Sequence, residues 1–249
     1  MEKATPAPSR ILVLATPDNR SGHLVKAAEM LASRFGATVQ ILHVKAPASA
    51  IQQDNQFSAK KELYEDSRQT RKKLQDIAGS EYSKSVDLRY GNVKGTVMEA
   101  MAESAPQVVI IGKRVRKVAG ILGDRLTEAV LDSAPGSVLI LDDTTGLQSF
   151  SAGVYAPDKG VQLGLWEPLL TERASNTRYF SIGKSSFGET ESDPAKQHFV
   201  FTDDADSLER VISFATKTRT DLFCIPKGVQ KSLTRKLVRG LQGSVLVVR

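Results

Sequence analysis

Residues 90–143 constrain the fold more than any other part of this 249-residue chain. They read YGNVKGTVMEAMAESAPQVVIIGKRVRKVAGILGDRLTEAVLDSAPGSVLILDD. A helical pattern runs into the apolar stretch Gln107–Ile111, which stops at Gly112. A basic loop follows, then a second helical pattern over Leu122–Ser133 and a second apolar stretch, Ser137–Leu141. Short apolar runs alternating with helices are the sequence form of a parallel sheet with right-handed crossovers, and ligands of such sheets gather at the carboxyl ends of strands. The loop after Gly112 is therefore the first place to look for a site.

The segment before it extends the same pattern. Arg10–Ala15 reads as a buried strand, and Thr16–Gly22 has turn chemistry. Leu24, Ala27, Ala28, Leu31 and Phe35 share one helical face, with Gly36 placed to end the helix. Thr38–Val44 predicts a second strand, Lys60–Ile77 an exposed charged helix, and Ser85–Tyr90 a third strand. The order then repeats. His198–Arg249 runs strand, helix, strand, loop, helix, strand, so that Asp221–Ile225 corresponds to Gln107–Ile111 and Ser244–Val248 to Ser137–Leu141. Gly136 and Gly243 precede the two last strands. Between them, residues 146–197 predict only a helix near Trp166–Arg173 and a strand near Arg178–Ile182, with 183–197 as a loop. The expected architecture is two tandem, doubly wound, parallel-sheet α/β units: a tail over 1–9, a complete domain over 10–145, and a truncated, degenerate domain over 146–249.

Composition narrows the chemistry. One cysteine, Cys224, excludes an internal disulfide framework and a multi-cysteine zinc site; His23, His43 and His198 have no metal-ligand spacing, so no metal is expected. No apolar run approaches the roughly 20 residues of a membrane span. The first ten residues lack an apolar core, so they read as a tail rather than a signal peptide, and a cytoplasmic location is expected. No G-x-S-x-G elbow is present, Cys224 lies in an apolar run, and neither Asp142–Asp143 nor Asp203–Asp204 has a histidine or cysteine partner, so no catalytic residue is assigned. Asp206 with Glu209 has the form of a capping box. The net charge is +6, and Ser207–Arg249 carries nine Lys or Arg against Glu209 and Asp221. Solvated helix faces account for this excess, and nucleic acid is not the expected partner because no aromatic residues interleave with the cations.

The stretches ILVLATPDNRSGHLVKAAEMLASRFGATVQILHV and 91–141 resemble a universal stress protein domain. The second half is similar only from about Phe199 onward, so the whole chain resembles the tandem, two-domain members. The resemblance implies a five-stranded parallel sheet, pairing through last strands, a role in stress adaptation and, in one subclass, adenosine nucleotide binding. The nucleotide loop that it implies is Gly, two residues, Gly, nine residues, then Gly followed by Ser or Thr. Glycines there let the backbone N–H groups reach phosphate. Gly112 matches the first position. Val115 stands at the second, Arg125 at the third, and the nearby Gly123 is followed by Asp124, which repels phosphate. Val44 matches a nucleoside-contacting valine. Asp18 falls one residue late for the corresponding aspartate, because Pro17 intervenes, and reads first as a turn residue. In the second unit Ile225–Pro226–Lys227–Gly228 replaces the loop, and Pro226 offers no N–H.

These readings predict a non-enzymatic regulatory protein that works through self-association, as a homodimer or by pairing of its two domains, with a protein partner. ATP is not the favoured ligand. The first alternative is an ATP binder or slow hydrolase using Asp18, Val44, Gly112, Lys113, Arg114 and Gly123, with the cluster Lys113, Arg114, Arg116 and Lys117 standing in for glycine N–H groups. The second is a binder of an anionic partner through the basic segment Lys231–Arg239.

Overall fold

The computed structural model describes residues 9–18, 21–46, 56–82, 85–113, 122–143, 147–157, 161–183 and 196–249. Its contacts divide the chain into two compact units, Met1–Gly136 and Ser137–Arg249. The sequence reading puts the boundary at 145/146.

In the first unit the order is β1 (Arg10–Leu14), α1 (Gly22–Phe35), β2 (Thr38–Lys45), α2 (Gln56–Tyr82), β3 (Val86–Tyr90), α3 (Val93–Ser104), β4 (Val108–Gly112) and α4 (Leu122–Ser133). The strands lie in the order β3-β2-β1-β4, and each pairing is parallel. Ile11, Leu12 and Val13 are at most 1% exposed, as are Val108, Val109 and Ile110. Continuous apolar runs, rather than alternation, are what strands covered on both faces require. Each such side chain contributes roughly 1.5–3 kcal/mol by leaving water. Helix α1 packs on α2, and α3 on α4. Gly36 ends α1 in the left-handed region, at φ 60°, and its N–H donates to Ala32 O. Asn92 caps α3 by accepting from Gly95 N at 3.0 Å. Helix α2 buries Thr70, Leu74 and Ala78, whereas Leu63 and Tyr64 nearer its start are exposed. Gly79, at φ 70° and ψ 176°, breaks its helical geometry.

The second unit holds β5 (Ser137–Leu141), β6 (Phe150–Tyr155), α5 (Glu167–Arg173), β7 (Ala174–Ile182), β8 (Lys196–Phe201), α6 (Ser207–Lys217), β9 (Leu222–Ile225), α7 (Lys231–Gly240) and β10 (Ser244–Val247). The pairings β9–β6, β6–β7 and β7–β8 are parallel, as is β10–β9. Strand β5 runs antiparallel to β10, with Leu246 opposite Leu139. That pairing groups β5 with the second unit, and it is an exception to the all-parallel expectation. The four strands β8-β7-β6-β9 repeat the order β3-β2-β1-β4.

Strand β6 is absent from the sequence reading. Its sequence, FSAGVY, carries three small residues and no apolar run of the kind found in β1, yet all six residues are buried. A Cβ on Gly153 would lie 2.8 Å from the Phe223 ring, 2.9 Å from Thr220 and 3.0 Å from Phe180. Small residues are required because large rings lie over the strand. Phe180 packs against Phe223, Phe199, Phe201 and Phe214 with centroids 5.3–6.4 Å apart, within the range of favourable aromatic pairs. Trp166 is 1% exposed, and its Nε1–H donates to Ser137 Oγ at 3.1 Å.

The capping box expected at α6 does not form. Asp206 occupies the cap position without a side-chain hydrogen bond. Asp204 orders the turn before the helix instead: its carboxylate accepts from Asp206 N at 3.0 Å, Thr202 Oγ1 at 2.9 Å and Arg210 at 2.6 Å. Asp206 has αR geometry, whereas a capping residue needs the extended backbone that would turn its carboxylate toward the free N–H groups. The same partners, Arg210 first, hold the Asp204 carboxyl below the usual carboxylate range.

Candidate functional site

The registers Leu14↔Leu42 and Leu14↔Ile111 align the carboxyl ends of β1, β2 and β4. Thr16–Asp18, His43–Val44 and Gly112–Lys113 therefore share one edge of the first unit's sheet. Four of the six sequence candidates, Asp18, Val44, Gly112 and Lys113, are brought together there. Gly112 backs onto helix α1, where its missing Cβ would sit 3.5 Å from Leu24 Cδ1. That is ordinary van der Waals distance, so packing alone does not demand glycine. Lys113 and Val44 are half-buried. Arg114 and the loop to 121 lie outside the described residues. Gly123 falls inside α4, after the helix has begun rather than in the loop before it.

Asp18 belongs to a closed turn. Its carboxylate accepts from Thr16 Oγ1 at 2.9 Å, and its carbonyl accepts from Ser21 N at 3.1 Å. Ser21 Oγ accepts from Thr16 N at 2.8 Å. Such aspartate-centred turns are a common way to leave a strand and enter a helix.

His43, which the sequence reading considers only for metal-ligand spacing, adds a further feature. Its Nδ1 lies 2.8 Å from Ala15 O. A carbonyl can only accept, so Nδ1 carries the proton and Nε2 is the acceptor of the neutral ring. Burial lowers the His43 pKa, with Lys45 acting in the same direction and the bond to Ala15 O and the charge of Asp18 opposing it. Lys45 is held by Asp66 of α2, with Nζ 2.6 Å from Oδ1.

In the second unit the loop after β9 contains Pro226, which has no N–H, and Gly228 at φ 91°. It lacks the run of donors that an anion cradle needs. Cys224 is fully buried, which pushes its thiol up to about 12, and it has no role in a site. Among the described residues no group of three or more His, Cys, Asp or Glu side chains could hold a metal ion, and no helix is long and apolar enough to cross a membrane.

A profile of the universal stress protein family matches residues 8–142, more than half of the chain. The chain belongs to the universal stress protein family. Solved structures agree at the level of the fold. A universal stress protein from Archaeoglobus fulgidus DSM 4304 is 12% identical, with 96% of each chain covered and a TM-score of 0.63. A putative universal stress protein from Pseudomonas aeruginosa UCBPP-PA14 is 17% identical, covering 97% of this chain and 93% of its own, with a TM-score of 0.58. A functionally unknown protein from Pseudomonas aeruginosa PAO1 is 16% identical, covering 97% and 92%, with a TM-score of 0.57. No curated protein sequence matches the chain. The universal stress protein fold of mixed α/β type, with mostly parallel strands, is thus established.

Proposed function

We propose that this universal stress protein is a non-enzymatic, cytoplasmic regulatory protein that acts through self-association and protein contacts, with nucleotide binding weakened or lost. The observation that carries the reading is the Asp18 turn. The carboxylate that the resemblance would set against a nucleoside accepts from Thr16 Oγ1 at 2.9 Å, so part of its acceptor capacity is spent within its own turn. The loop sequence agrees, because Val115 and Asp124 stand where a glycine and a hydroxyl would favour phosphate. In this reading the second unit is a second universal-stress-protein-like domain with shortened front connections. The repeated strand order supports it.

The test is calorimetric titration of the full chain with ATP and magnesium. The expected outcome is no saturable heat from folded protein. Saturable binding near one nucleotide per chain would overturn the reading, and charge reversal at Lys113 and Arg114 would then show whether those cations hold the phosphates. Sedimentation velocity tests self-association: a monomer at all concentrations would remove that part of the proposal.

A further inference from the structure

Each unit has a terminal strand with one edge that, among the described residues, has no strand neighbour, and the two units treat that edge differently. In the first unit the strand is β3, paired with β2 alone. Helix α2 packs on it. It is also charged: Arg89 pairs with Asp87 and with Glu103 of α3, both at 2.8 Å. Charge and a covering element are the usual means of keeping a sheet edge from joining another chain.

In the second unit the terminal strand is β8, paired with β7 alone. Both protections are missing. Among the described residues no helix stands between β7 and β8, the position that α2 takes between β2 and β3. The strand reads KQHFVF, and Lys196 at its start is its one Lys, Arg, Asp or Glu.

The side chains of β8 divide by face. Phe199 and Phe201 lie against Phe214 of α6, with ring centroids 4.6 and 6.0 Å away, yet both remain half-buried. Val200 points to the other face by strand alternation and is 49% exposed. The backbone divides in the same way. Phe201 O accepts from Gly183 N at 2.9 Å, which turns the Phe201 backbone inward to β7. Neighbouring residues of a strand turn their polar groups to opposite sides, so the N–H and C=O of Val200 face the outer edge.

We propose that β8 is the self-association edge of this protein, pairing antiparallel with β8 of a second copy about a two-fold axis through Val200. The assignment rests on the self-association reading above and names its surface. The last strand, β10, is not available for that role, because β5 and β9 pair with its two edges. The two-fold makes β8 its own complement. Val200 meets its own counterpart in a hydrogen-bonded pair. Phe199 lies across from Phe201 of the second copy, and Phe201 across from Phe199, in the closer pairs that lack hydrogen bonds. Aromatic pairs across strands are favourable, and these would cover rings that one chain leaves half-buried. The two Lys196 side chains fall at opposite ends of the pairing, so no like charges meet. A foreign strand could satisfy the same backbone groups, but β8 itself already carries the matching pattern, and two-fold pairing is the commonest form of assembly.

Sedimentation velocity and residue-resolved amide exchange on the full chain test the assignment. The native protein should sediment as a dimer, with the Val200 amide protected in the dimer and losing protection on dilution. Val200→Pro removes the outward N–H, a change that an edge strand accepts. Val200→Lys sets two ammonium groups at the axis. Each should raise the dimer Kd at least about tenfold while circular dichroism stays native. A native dimer left intact by Val200→Lys, or one whose Val200 amide exchanges freely, would overturn the β8 edge and leave the self-association reading standing. A native monomer at all concentrations would overturn both. A protected Val200 amide in that monomer would give the edge to another segment of the same chain, and a freely exchanging one would give it to a different protein.

Discussion

The two units share a strand order and reach it with different cores. In the first, the central strand β1 supplies bulk with Ile11, Leu12 and Val13. In the second, its counterpart β6 reads Ser151, Ala152, Gly153, and the volume comes from neighbouring strands and a helix as Phe180, Phe223 and Phe214. The difference teaches that the fold conserves filled space and backbone spacing rather than the strand on which large side chains sit. Backbone demands are kept more strictly. Gly136 and Gly243 both precede a last strand, and a Cβ there would lie 2.1 Å from Gln107 O and 2.6 Å from Thr220 O.

That parallel is open to attack by mutation. Gly136→Ala should have the largest effect, because backbone must move: roughly 3 kcal/mol or more by urea denaturation, with Gly243→Ala somewhat less. A neutral result for either would mean that the close approach is not shared. Gly153→Ala should follow at about 1–3 kcal/mol, since rings rather than backbone must shift. The matched change at β1, Val13→Ala, opens a void instead of filling one and should cost about as much. If Gly153→Ala were tolerated freely, the account of the aromatic core would fail. Glycine at Ala105 and at Arg219, which lie at φ 43° and 49°, should each stabilise by roughly 0.5–1 kcal/mol, seen as a raised Tm, because both turns are left-handed. A gain at one site alone would show that the turns differ. The smallest effect concerns His43. Its folded-state pKa lies below the usual 6.5, so the native state binds fewer protons than the unfolded one. Its contribution is present above that pH and is lost as pH falls through it. His43→Gln should flatten this part of the stability profile in the first unit.

Much of the architecture is legible in the sequence because buried parallel strands write themselves as apolar runs: β1, β4, β5 and β9 coincide with such runs, and Gly36 marks the end of α1. Strand β6 is not legible, since its burial depends on rings contributed from residues 180 and 223. The α6 cap is misread because the spacing of Asp206 and Glu209 fits a capping box, whereas the αR backbone at Asp206 leaves its side chain without a cap hydrogen bond. At the candidate cleft, the residue types at 18, 44, 112 and 113 are readable, whereas the closure of the Asp18 turn depends on the rotamers of Thr16 and Ser21. Arg219 carries no sequence signal, because nothing in a linear pattern distinguishes a left-handed arginine from a solvated one.

The buried sulfur of Cys224 has a practical corollary. Burial pushes the Cys224 thiol up to about 12, so little reactive thiolate is present at neutral pH and the native chain should react slowly with alkylating reagents. A cysteine introduced at position 113 or 200 would then be the more reactive handle, and a fluorophore attached there would report on the candidate cleft or on the β8 edge with little background from the native protein.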